Sequence, residues 1–129
     1  MIEITAVGGY SEVGRNCTAI KVDDEIIIVD IGLHLENYVK LTEDEDAIKI
    51  SPGQLIAVGA IPDVSILDSQ KDKVKAIVIS HAHLDHVGAV PYLANRFKAP
   101  IYGTPFTMEV LQTMLKDDQT KLQGDIKVV

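Results

Sequence analysis

Six consecutive residues, His81-Ala82-His83-Leu84-Asp85-His86, hold three imidazoles and one carboxylate. Side chains of these types bind divalent cations such as Zn²⁺, and also Mn²⁺ or Fe. His81 and His83 lie two apart, so in an extended stretch their rings point the same way. Together they can grip one ion through ring nitrogens at roughly 2.0–2.1 Å, the zinc distance. Asp85 and His86 follow at the turn into the next element and can face a second ion. A plainer reading makes them surface histidines beside a helix N-cap aspartate. Four ligand-type side chains seldom cluster so densely without a cation, which favours the metal reading. The chemistry that follows is metal-assisted hydrolysis. Two ions held there, roughly 3.5–4 Å apart, would supply a hydroxide by lowering the pKa of the parent water toward about 7. That hydroxide would attack a phosphorus or carbonyl centre, with Asp85 as a candidate to handle a proton.

The elements around this cluster must bring it to a point. The run Val74-Lys75-Ala76-Ile77-Val78-Ile79-Ser80 reads as a buried strand, which puts the cluster in the loop at its carboxyl end. Upstream, Ile2 to Val7 reads as a strand ending in Gly8-Gly9, and Asn16 to Val22 as a second. Asp23-Asp24 makes a turn into a third strand, Glu25 to Asp30. Its block Ile26-Ile27-Ile28-Val29 is solidly apolar, which predicts cover on both faces. Asp30 ends that strand, and a buried carboxylate there needs a partner unless it simply turns the chain. The glycine-rich loop from Gly8 to Arg15 lacks a Walker A or dinucleotide pattern.

The stretch from Ile31 to Ser51, with its acidic run Glu43-Asp44-Glu45-Asp46, reads as an exposed loop or short helix. His34 within it could approach the metal cleft, but an isolated loop histidine is usually not a ligand, and it is read as outside the ligand set. Ser51-Pro52-Gly53 predicts a turn, Leu55 to Gly59 a short extended piece, and Pro62-Asp63 the start of a short helix or turn. After the cluster, Val87 to Phe97 has helical spacing with Pro91 as a candidate kink. Pro100 to Gly103 reads as a short strand. Thr104-Pro105 caps a helix whose buried face is predicted to carry Phe106, Val110, Leu111, Met114 and Leu115. Asp125 to Val129 begins a last strand.

The segment His81 to His86 matches the H-x-H-x-D-H signature and so resembles the metallo-β-lactamase fold. Val87-Gly88-Ala89-Val90-Pro91-Tyr92-Leu93 looks like the helix that follows it in the nuclease branch. Gly8-Gly9-Tyr10-Ser11-Glu12-Val13-Gly14-Arg15-Asn16-Cys17 resembles the opening of the β-CASP nucleases, ribonuclease J group, of archaeal type. The resemblance implies an α+β protein, the N-terminal half of an αββα four-layer sandwich with a mixed sheet and flanking helices. Residues 1–129 then form a partial domain, with the second half of the fold and the β-CASP domain outside it. The resemblance also implies an RNA phosphodiester substrate, 5′-to-3′ exonuclease and sometimes endonuclease action, and two zinc or manganese ions. It gives Asp30 the role of orienting the metal-binding loop. It sets Glu12, Arg15 and Asn16 beside the cleft, where they touch substrate, brace metal ligands or only fix a tight turn. The family's later ligands have no match here, since no histidine follows His86. The chain alone is therefore expected to hold metal weakly and catalyse little.

Composition agrees with a globular chain: 47% of the 129 residues are hydrophobic. A net charge of −7 argues against a self-sufficient nucleic-acid binder, but bound cations or another domain can supply the positive charge. The single cysteine, Cys17, forms no internal disulfide and fits a reducing, cytoplasmic setting. No apolar run is long enough to span a bilayer, so no membrane is expected. Half a sandwich leaves an apolar face open, which favours self-association as a homodimer. Two other readings remain at this point. One is a hydrolase of small esters, thioesters or lactams on the same fold. The other is a non-catalytic domain that binds a partner or dimerises.

Overall fold

The computed structural model describes residues 1–44 and 50–129. Six strands form one mixed sheet in sequence order: β1 (Ile2–Gly8), β2 (Cys17–Val22), β3 (Glu25–Val29), β4 (Val74–Val78), β5 (Ile101–Gly103) and β6 (Ile126–Val128). The first three pair antiparallel, and β3 through β6 pair parallel. The antiparallel part is joined by tight turns, and Asp23 takes the left-handed conformation at φ 54° that the β2–β3 turn requires. The parallel part needs crossovers, and the helices supply them. These are α1 (Leu35–Asp44), α2 (Pro52–Ala57), a 3₁₀ stretch over Val64–Lys73, α3 (Leu84–Val87), α4 (Val90–Leu93) and α5 (Pro105–Asp117). The expected α+β architecture with a mixed sheet and flanking helices is what the chain adopts.

The core lies between the helices and one face of the sheet. Ile26, Ile28, Ile77 and Ile101 point down from the strands and meet Leu55, Val64, Val87, Leu93 and Leu111. The expectation that β3 is covered on both sides is corrected here. Its residues alternate, with Ile26 and Ile28 buried but Ile27 exposed. A period of two sends neighbours to opposite faces whatever their hydropathy, and the helices pack on only one of those faces.

Four other expectations change. Pro52 to Ala57 is a helix rather than a turn and an extended piece. Ser51 caps it: its Oγ accepts from Gln54 N at 3.2 Å while its own N–H donates to Gln54 Oε1 at 2.9 Å. The single helix expected from Val87 to Phe97 is broken into α3, α4 and a 3₁₀ turn at Ala94–Arg96. Pro91, inside the first turn of α4, has no N–H to continue the ladder from α3. In α5, with Thr104 as N-cap, the buried stripe is Thr107, Met108, Leu111 and Leu115, and Phe106 is 70% exposed. Pro105 at the first helical position sets the phase, and that phase turns the second position outward. Ile31 to Ser51 includes α1, a longer helix than expected. The end of the acidic run, Glu45-Asp46, lies outside the described residues.

Candidate metal centre

The two neighbouring parallel strands β3 and β4 deliver the site at their carboxyl ends. β3 ends at Val29, and Asp30 then takes a left-handed backbone at φ 64° with its N–H bonded to Val78 O at 2.9 Å. That turn leaves the Asp30 carboxylate beside the loop after β4, buried at 6% exposure. Ser80 N–H donates to its Oδ1 at 2.7 Å and Ser80 Oγ–H to its Oδ2 at 2.8 Å. His86 Nδ1 lies 2.7 Å from the same Oδ2. The buried acid is thus matched on both oxygens, which removes the cost of leaving it bare. Donation of the His86 Nδ1–H to this carboxylate leaves Nε2 with its lone pair aimed into the site, the arrangement metal-binding histidines adopt.

His81, Asp85 and His86 converge: one ligand atom from each lies within 4.8 Å of the others. His86 Nε2 is 3.4 Å from Asp85 Oδ2, and the His81 and His86 ring centroids are 3.8 Å apart. Two imidazoles and a carboxylate on a common point suit a divalent cation of the zinc or manganese kind. His83 stands apart from that group. Its exposed ring meets the His81 ring edge-on at 4.7 Å between centroids, so the geometry pairs His81 with His86 more closely than with His83. A four-residue helix explains this: α3 starts at Leu84 with His83 as its cap residue, which curls Asp85 and His86 back beneath His81.

The loop is clamped by backbone as well. Ile31 N–H donates to His86 O at 3.0 Å, Leu33 N–H to Leu84 O at 2.8 Å, and Ala89 N–H to Ile31 O at 3.0 Å. This ladder needs Gly32. A Cβ there would sit 1.7 Å from Asp85 O and 2.9 Å from Asn16 N, both backbone atoms that have nowhere to go.

Of the candidates in the glycine-rich loop, Asn16 reaches the site: its Nδ2–H donates to Asp85 O at 2.9 Å and lies 3.4 Å from Asp85 Oδ2. Glu12 and Arg15 pair with one another, and Glu12 Oε2 lies 3.9 Å from His34 Nε2. His34 Nδ1 accepts from Asn37 N–H at 3.2 Å at the start of α1, and the ring is outside the ligand group. Ser80, which bonds both oxygens of Asp30, is a residue that sequence reasoning passes over. Its place at the end of the apolar run, directly before the first histidine, is the signal that points to it. Cys17, buried at the start of β2, has its thiol pushed up to about 12 by burial and then by the nearby Asp30 charge. An open cleft of about 570 Å³ borders the centre, lined by Val13, Leu35, His83, Leu84 and Asp85 among others.

A parallel strand pair with imidazoles and an acid gathered at its carboxyl edge is a group that could hold a metal ion. Residues 10–123 match the family described as the metallo-beta-lactamase superfamily, and the chain belongs to that superfamily. Among curated proteins, it is 52% identical over 111 residues to "Ribonuclease J" of Methanocaldococcus jannaschii, covering 86% of this chain and 25% of that protein. It is 43% identical over 120 residues to "Ribonuclease J" of Pyrococcus abyssi, covering 92% of this chain and 26% of that one. The chain thus spans about a quarter of the length of these relatives. The crystal structure of the metallo-beta-lactamase fold protein YhfI from Bacillus subtilis superposes with a TM-score of 0.55 at 18% identity. That match covers all of this chain and 46% of YhfI, and it speaks for the fold alone.

Proposed function

We propose that the chain carries the first part of the metal centre of an RNA-hydrolysing enzyme. The observation that carries this reading is the convergence of His81, Asp85 and His86, with His86 Nδ1 fastened to Asp30. The similarity to ribonuclease J proteins supports RNA as the polymer; 5′-to-3′ removal of nucleotides is the mode we assign to it. His81 and His86 offer neutral ring nitrogens, Asp85 offers a carboxylate oxygen, and His83 at the rim extends the set toward a second cation. Divalent ions bound there, zinc or manganese, would acidify water and polarise a phosphodiester. Asp85 lies at the mouth of the open cleft, where its carboxylate can take a proton from the attacking water. Asp30 and Ser80 hold His86 in the ligand tautomer throughout.

The ligands that complete the centre come, on this reading, from residues beyond 1–129, as do the remaining layers of the fold. The protein works in a reducing, cytoplasmic compartment, consistent with its one buried thiol. The open sheet face lets isolated chains pair as homodimers. No helix among the described residues is long and apolar enough to cross a membrane.

Metal uptake tests the reading directly. Zinc or manganese titrated into the purified chain should bind, and the double variant His81→Ala, His83→Ala should abolish uptake. Unchanged uptake removes the site. The chain alone should leave 5′-monophosphorylated RNA intact while the longer protein that contains it degrades it. Two ions per chain with RNA degradation by residues 1–129 alone would show that nothing from outside is needed.

A further inference from the structure

The Asn16 side chain points its amide nitrogen at three atoms of the ligand loop. Nδ2 donates to Asp85 O at 2.9 Å, and it stands 3.4 Å from Asp85 Oδ2 and 3.5 Å from His86 Nε2. All three neighbours are acceptors. Asp85 supplies a carbonyl and a carboxylate oxygen. His86 Nε2 is the lone-pair nitrogen once Nδ1–H is given to Asp30. Acceptors on that side fix the amide orientation, with its oxygen turned away.

The backbone around it is equally committed. Asn16 N–H donates to Asp85 O at 3.2 Å, and Asn16 O accepts from Gly32 N–H at 3.0 Å. On its other side, Gly9, at φ 89°, leaves no room for a side chain: a Cβ would lie 2.5 Å from Asn16 Oδ1. The glycine-rich loop therefore presses one amide group against two of the three converging ligand residues. A turn-fixing residue needs none of these long-range contacts.

We propose that Asn16 is a positioning residue for the cation site. Its amide presets Asp85 and His86 with their ligand atoms facing inward, and so couples the Gly9–Asn16 loop to cation affinity. This rests on the metal-centre reading above. By linkage, what the loop does for the cation the cation does for the loop, so binding should order residues 9–16 to the same degree.

The test uses Co²⁺ as probe on the purified chain, in wild type, Asn16→Ala and Asn37→Ala. Asn37 makes a comparable amide-to-carbonyl bond, to Gly59 O at 3.1 Å, away from the ligands. Asn16→Ala should weaken Co²⁺ binding roughly 10–100-fold, as loss of an outer support does, and should shift the visible ligand-field bands of the bound form. Asn37→Ala should leave affinity and bands unchanged. A role in stability alone lowers the folded fraction but leaves the spectrum of the bound molecules as it was. Unchanged affinity and spectrum in folded Asn16→Ala overturn the proposal.

A metal-free readout separates it from the metal-centre reading. Amide exchange at Ile31 and Leu33, which bond to His86 O and Leu84 O, should quicken at least tenfold in Asn16→Ala. If wild-type chain takes up no cation, the metal-centre reading fails, and exchange alone decides whether Asn16 holds the loop. Should Asn16→Ala not fold, Asn16→Asp keeps the shape against Gly9 and replaces the donor by an acceptor. It should show the same faster exchange, and wild-type exchange rates there would overturn the proposal.

Discussion

The two faces of the sheet differ residue by residue along the same strands. On β3, Ile28 is 0% exposed and Ile27 beside it 42%; on β4, Ile77 is 0% and Val78 36%. One face lies under the helices, and the other, with Ile4 and Val22 also exposed, lies open. The ligand loop belongs to the covered side. Val87, Ala89 and Val90 directly after it are fully buried, and its carbonyls are bonded to residues 31 and 33. The stability of this chain and the positioning of its candidate ligand loop therefore come from the same layer. The open face contributes apolar surface without a return in packing.

Substitutions on the covered and open faces should differ sharply in cost. Gly32→Ala should have the largest effect, a loss above about 4 kcal/mol or failure to fold, because backbone opposes the new Cβ on two sides. A denaturant midpoint close to wild type would show that the clamp between Gly32 and Asp85 is loose. Ile28→Ala on the covered face should cost about 2–5 kcal/mol in urea unfolding. The thiol of Cys17 gives a milder, pH-driven case. Burial raises its folded pKa to about 12 from 9.0, so the unfolded chain loses the proton first. Stability from this group is full below pH 9 and declines as pH rises toward 12. Between pH 8 and 10 the loss should be about 1 kcal/mol, since a tenfold bias in proton binding is worth roughly 1.4 kcal/mol. It should be absent in Cys17→Ala, and an equal decline in that variant would assign it elsewhere. Smallest of all, Ile27→Ala on the open face should change stability by no more than about 0.5 kcal/mol in the monomeric chain. A cost like that of Ile28→Ala would mean the face is covered in solution, for instance by a second copy.

Much of this is legible in the amino acids. The strands before and after the site show because β-branched runs end at glycines and acids, and the ligand cluster shows because its side chains are scarce and dense. Asp30 is legible as an acid in need of a partner, but Ser80, one of its partners, shows only by its place directly before the first histidine, since a serine at a strand end carries no chemistry by itself. The cover of β3 is misjudged from sequence because an unbroken apolar run records hydropathy, not which neighbours are present. α2 escapes notice because Ser51-Pro52-Gly53 has turn composition. Only the Gln54 side chain, reaching back to Ser51, turns that sequence into a helix start. Spacing alone places Phe106 inward, whereas the phase of α5 is fixed by its cap. Among the three candidates between Glu12 and Asn16, sequence offers no means of choosing, because contact across 69 positions is invisible to local pattern.

That separation along the chain has a kinetic consequence. The ligands are neighbours in sequence, yet what orients them is remote: Asp30 is 56 positions from His86, and Asn16 is 69 from Asp85. Refolding must close those long loops and seat β3 against β4 before the histidines acquire their final aim. Cation capture should then lag behind helix formation in a stopped-flow refolding trace, making the ion a clock for the last long-range step of assembly.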